Sequence, residues 1–256
     1  LHGGPAVRVL LALMALLALT GARDPQLVPS VSQDEIAVRQ GFTGTELLLF
    51  GAILPPEQGA PPEPYDVVVV LKGPTSSVVV REKQQVAGIW MNVDAAEFRS
   101  VPSFYAVASS REIAAVVDAR TAAIYELGLP YLQLSPIGAI DPEQQARIAA
   151  GLVERRRGEG HYQQVEGGVQ VKGGVLYEAR FELPSSVETG TYTAETFVIS
   201  RGRVLVSEIA RVEVRKVGFE KRVADYAENE EVWYGLFAVF LSIFMGWAAG
   251  RLFALV

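Results

Sequence analysis

The chain has 256 residues, a formal net charge of −6, 20% charged and 50% hydrophobic residues, and no cysteine. That composition is globular rather than disordered. It excludes disulfides, thiolate catalysis and cysteine metal sites, and the acidic balance argues against nucleic acid as a partner.

Residues 1–22 read as a secretory signal. A short polar start holds His2 and Arg8, an apolar run too short to span well follows, and Thr20-Gly21-Ala22 puts small residues before a cut. An uncleaved N-terminal anchor is the alternative. Setting aside both hydrophobic ends leaves roughly 200 residues, enough for one large or two small domains.

From Pro29 the chain reads as short strands. Residues 35–39 alternate in polarity, and 46–54 (ELLLFGAIL) form a mostly apolar run, as expected of a strand buried on both faces. Residues 55–64 are a proline-rich surface loop. The runs 66–72 and 76–81 flank Gly73-Pro74 and predict a hairpin, with further strands over 85–93 and 104–109. Ser110 reads as the N-cap of a helix over 111–127. Asp141-Pro142-Glu143 starts a second helix, running to about Arg156, with Ile148 and Leu152 on its apolar stripe. Strands return over 169–172, 175–183, 190–200 and 203–216, separated by turn signals at Gly173-Gly174, Pro184-Ser185 and Arg201-Gly202. Thr189-Gly190-Thr191-Tyr192 resembles the Gly-x-Tyr entry to the penultimate strand of immunoglobulin-like domains. The expected fold is mainly β: two immunoglobulin-like β-sandwich regions, 23–110 and 161–217, joined by a helical connector, 111–160. An acidic juxtamembrane segment, 218–231, then leads to a transmembrane helix, 232–256.

That last segment carries 19 consecutive uncharged residues, 232–250. As a helix they span roughly 28 Å, close to the roughly 30 Å hydrocarbon thickness of a bilayer. Trp233 and Tyr234 stand at one end, where amphipathic rings favour the headgroup layer, and Arg251 follows at the other. Ala238, Ser242, Gly246 and Gly250 recur every four residues and share one side of the helix. Such a face suits a homodimer or a partner transmembrane helix, for instance of a transporter. Small residues are common in membrane helices in any case, so both readings stay open. The expected topology is a single pass in the inner membrane, with the body in the periplasm and 251–256 in the cytoplasm. Lys216, Lys221 and Arg222 on the outer side run against the positive-inside tendency. A translocated domain, however, moves largely regardless of charge.

Candidate chemistry is sparse. No GxSxG, Walker or βαβ GxGxxG motif is present, so no enzyme activity, cofactor or metal is expected. Residues 88–109 gather Trp90, Asn92, Arg99, Phe104 and Tyr105. An aromatic, an amide and a cation at this spacing could bind a small anion or a partner loop. The alternative makes Trp90 and Phe104 core residues, with Asn92 serving a turn. Asp94 and Glu97 read as exposed loop acids, and His161 as a turn residue with a structural role. Asp225, Glu228, Glu230 and Glu231 lack the spacing of a calcium loop and read as a solvated face.

A run of local motifs resembles a family of alphaproteobacterial transmembrane proteins, Alph_Pro_TM, which has no assigned activity. The matching pieces are Gly41-Phe42-x-Gly44, Phe50-Gly51-Ala52, Gly73-Pro74, Gly88-Ile89-Trp90-Met91-Asn92 and 101–109 (VPSFYAVAS). Leu183-Pro184, Gly190-x-Tyr192, Lys216-Val217-Gly218 and Tyr234-Gly235-Leu236 follow. The loop at 55–64 looks longer than is usual there. The resemblance implies a membrane protein of similar size, of a family whose members are often encoded beside permeases of the sulfite-exporter type. The expected function is association at the membrane as an accessory to such a transporter. The alternative is a periplasmic module that binds or senses a small anion.

Overall fold

A computed structural model describes residues 25–39, 41–55, 64–138, 140–217 and 231–253. The expected signal at 1–22, most of the proline-rich loop and residues 218–230 lie outside the described residues.

Among the described residues twelve strands follow one another: β1 (Gln26–Val31), β2 (Glu35–Val38), β3 (Gly44–Leu54), β4 (Asp66–Lys72), β5 (Thr75–Val86), β6 (Ile89–Pro102), β7 (Tyr105–Ser109), β8 (Tyr162–Glu166), β9 (Val169–Lys172), β10 (Leu176–Pro184), β11 (Gly190–Ser200) and β12 (Arg203–Lys216). The helices are α1 (Ile113–Val116), α2 (Ala119–Tyr125), α3 (Pro142–Gly158) and α4 (Glu231–Phe253). A four-stranded sheet runs β1-β3-β10-β9, and a six-stranded sheet runs β2-β12-β11-β4-β7-β8. β5 and β6 pair only with each other as named strands.

The two sheets bury a common core between them. Leu47, Leu49, Ile53, Tyr177 and Phe181 face Val67, Val69, Leu71, Tyr192 and Val212. Each such side chain contributes about 1.5–3 kcal/mol on leaving water. β10 shows the period-2 pattern that makes this possible: Tyr177, Ala179, Phe181 and Leu183 are buried and their neighbours are not.

Several expectations need correction. The two β regions do not form separate sandwiches. β3 pairs with β10 and β4 with β11, so residues from 23–110 and 161–217 share both sheets. Sequence spacing shows where strands lie but not which strands pair, because pairing is a long-range choice. β3 is buried on one face, not two, since Leu48, Phe50 and Leu54 stand outside the inter-sheet core. β4 and β7 are buried on both faces, because α1, α2 and the residues after them cover the far side: Val68, Val70 and Val107 pack on Ile113, Val116 and Leu127. The helix expected over 111–127 is two short ones. It breaks at Asp118, whose carboxylate caps α2 by accepting from the Thr121 amide at 2.7 Å. Ser110 is no helix cap; its hydroxyl donates to Asp66 at 3.1 Å. β1 and β8 were not anticipated. α3 starts as expected, with Asp141 accepting from the amides of Glu143 and Gln144 at 3.1 Å each.

At the Gly190-x-Tyr192 step the Tyr192 phenol donates to the Glu188 carbonyl at 2.9 Å, a corner that ties the turn to the strand. The sheet pattern includes two parallel pairs, β2 with β12 and β7 with β8.

Candidate contact surface on a projecting hairpin

Gly73-Pro74 does not close a hairpin between β4 and β5. It bends one long hairpin out of the sandwich. Lys72 lies opposite Tyr105, and Thr75 lies opposite Pro102, three residues further in each strand, so the pairing register carries straight through. The bend is pinned by the Gly73 amide donating to Phe104 O at 2.8 Å and the Ser103 amide donating to Pro74 O at 2.8 Å. A side chain at Gly73 would run into the Ser103 hydroxyl and the Tyr192 ring. Beyond this bend β5 and β6 form an arm that contributes to neither sheet core.

The arm is braced. Ala96, Phe98 and Val101 pack on Leu134, Ile148 and Leu152, a third core joining β6 to α3. Residues 135–137 run along β6, with the Arg99 amide donating to Ser135 O at 2.9 Å and the Ile137 amide to Glu97 O at 2.7 Å. Arg147 reaches Glu82 and Asp94 across the hairpin, each at 3.1 Å. Glu97 accepts from the Ser77 hydroxyl at 2.8 Å. Asp94 and Glu97 are therefore bracing acids. A cleft of about 670 Å³ opens between β5 and α3, floored by Val78, Val80, Ile148 and Leu152, with Arg81 and Arg155 on its rim.

At its tip the hairpin turns on Ala87 and Gly88, both left-handed at φ 51° and 84°. Two positive φ values in a two-residue turn match the strand twist, which is why a glycine sits there. The expectation of one strand over 85–93 missed this turn. Around it, Val86, Ile89, Trp90, Met91 and Val93 are all exposed, Ile89 to 70% and Trp90 to 67%. Paired rungs run Val86–Ile89, Gln85–Trp90 and Gln84–Met91. Ile89 and Met91 point to one face and Trp90 to the other, because side chains alternate along a strand.

The four residues expected to form a small-anion site do not converge. Trp90 and Asn92 lie exposed near the tip, and Arg99 lies exposed nine positions along β6 from Trp90, about 30 Å at 3.3 Å per residue. Tyr105 is fully buried; its phenol donates to Glu126 O at 2.6 Å and accepts from the Gly128 amide at 3.0 Å. Burial drives its pKa well above the ordinary phenol value. Phe104 is in the core, as one reading had it, and Trp90 is not.

His161 is buried and closes a different corner. Its Nε2 lies 3.1 Å from the Ser186 hydroxyl and 3.4 Å from the Ser186 carbonyl. Glu159 is 3.7 Å from Nδ1, beyond hydrogen-bond reach. The Arg155 guanidinium holds the Glu159 carboxyl below its usual range. The His161–Ser186 contact stitches the end of α3 to the β10–β11 turn. Among the described residues, no three His, Asp or Glu side chains cluster as a metal site would need.

α4 runs 23 residues, about 34 Å of helix. Residues 234–251 of it are long and apolar enough to cross a bilayer by length and composition. Ala238, Ser242, Gly246 and Gly250 are exposed along one side, and the Ser242 hydroxyl donates back to Ala238 O at 2.8 Å.

The described residues thus form a β-sandwich body, a projecting arm and one C-terminal helix of membrane-crossing length and composition, the makeup of a transmembrane-type protein. The chain belongs to the family described as "Putative transmembrane protein (Alph_Pro_TM)", whose model matches residues 26–254. No curated protein matches it. Among solved structures it is similar to Spo0M, a sporulation control protein from Bacillus subtilis. That likeness has 10% identity and a TM-score of 0.28, covering 80% of this chain and 55% of that one. The chain thus spans about half the length of the Spo0M chain.

Proposed function

We propose that this protein works by contact and not by bond-making: α4 anchors it in the inner membrane, and the sandwich and arm stand on the periplasmic side beside a membrane partner. One observation carries the reading. β12 and β4 both run antiparallel to β11, so the chain leaves the sandwich toward α4 at the same end of the sheet as the arm. A body built this way holds its arm on the side of the bilayer to which it is tethered. The face of Ala238, Ser242, Gly246 and Gly250 offers close helix packing to a partner, for which a permease of the sulfite-exporter type is the candidate.

Photo-crosslinking in native membranes tests this. A membrane-embedded protein should be recovered with the wild-type chain and lost when Gly246→Leu and Gly250→Leu are combined. Recovery unchanged by both substitutions removes the helix face from the proposal. Recovery of the intact full-length chain in the cytosolic fraction overturns it.

A further inference from the structure

We propose that the tip of the β5–β6 arm dips into the interfacial layer of the same bilayer that holds α4. This rests on the anchoring described above, and on no protein partner. Three observations carry it. First, the tip is apolar on both faces: Ile89 and Met91 on one side, Trp90 on the other, all at least half exposed. A patch made for a protein surface needs one face; apolar side chains on both faces of a narrow tip, beside the uncharged amides of Gln84, Gln85 and Asn92, suit the lipid–water boundary. Trp90 fits it further, since indole rings favour the headgroup level.

Second, the dimensions agree. Residues 84–93 are uncharged, and the first charges behind the turn are Lys83 and Asp94. Three paired rungs at about 3.3 Å each give an uncharged depth of about 10 Å. Interfacial segments bury about 5–10 Å. Deeper entry is barred, because the outer edges of a two-stranded hairpin carry unpaired backbone groups that lipid cannot satisfy. Glu82 and Asp94 are both engaged by Arg147, which leaves Lys83 and Arg81 to meet anionic headgroups.

Third, the reach agrees. Thirteen residues, 218–230, separate Val217 from Glu231. A chain of that length extends at most about 45–50 Å. From Lys72 to the turn the arm has 14 residues, about 46 Å at full extension. Tether and arm leave one end of the sheet, and the greatest reach of the tether is no shorter than the arm, so the tip and the start of α4 can lie at one level.

The chain has no native cysteine, so single labels are clean. The test uses the purified full chain in vesicles of phosphatidylcholine and phosphatidylglycerol, with an environment-sensitive fluorophore at Ile89→Cys. Val79→Cys on the shaft is the aqueous control, and Leu241→Cys reports the anchor. The proposal expects the Ile89 label to emit to the blue of the Val79 label, to lose several-fold of its iodide quenching, and to be quenched by shallow doxyl lipids. An Ile89 label as open to iodide as the Val79 label overturns the proposal while leaving the anchor intact. A label shielded from iodide yet untouched by doxyl lipid also overturns it, and puts the tip against a second copy of the chain. A Leu241 label that lipid does not quench overturns the anchoring reading and the proposal together.

Discussion

Gly51 on β3 lies against the ring of Tyr177, its register partner on β10. A Cβ built on Gly51 would sit 2.7 Å from the phenolic oxygen and would also strike the Val28 carbonyl of β1. The same phenol reaches across the sandwich to the Thr196 hydroxyl at 3.1 Å. The Phe50-Gly51-Ala52 step is therefore a packing requirement: only a residue without a side chain lets Tyr177 cross over to the second sheet.

Gly51→Ala should destabilise the body by about 1–3 kcal/mol, since one of the atoms it meets is backbone and cannot swing away. Urea denaturation followed by circular dichroism in detergent reads the shift in midpoint.

Tyr105→Phe should cost about 1–3 kcal/mol although it removes one oxygen, because two buried hydrogen bonds go with it and the Gly128 amide keeps only its longer bond to Glu126 O at 3.2 Å. Protection of that amide in hydrogen exchange should fall first.

Alkaline pH should unfold the body. Burial pushes Tyr162 and Tyr192 from the ordinary 10.0 up to about 12, and Tyr105 higher still. A phenol that keeps its proton longer when folded stabilises fully below pH 10 and loses that contribution as pH rises through 12. The last phase of a phenolate absorbance titration, that of the buried tyrosines, should therefore coincide with loss of tertiary signal and not precede it.

Hydrophobic packing, not the ion pairs, should brace the arm. Leu152→Ala empties the third core and should cost about 2–5 kcal/mol locally. Arg147→Ala removes exposed pairs that salt screens, and should leave proteolysis of the hairpin nearly unchanged.

The combined variant Ile89→Ser and Trp90→Ser should leave stability within about 0.5 kcal/mol, because neither side chain is packed. A change in the midpoint beyond that would mean the tip is held by the body rather than presented by it.

Local physics was legible in the sequence. The period-2 runs marked β10 and β11, Asp141-Pro142 marked the start of α3, and the uncharged stretch marked the membrane-length helix, because each depends only on neighbours along the chain. What the tertiary structure alone decided was pairing. It set β10 beside β3, carried β4 and β7 into the arm instead of closing them at Gly73-Pro74, buried Tyr105 and left Trp90 outside. Hydrogen-bond partners across a sheet are chosen over distances as long as that from Glu35 to Glu213, and alternation tells which face of a strand is apolar without telling what covers it. The four residues read as one site share a stretch of sequence, but a strand rises 3.3 Å per residue, so nearness along it is separation in space.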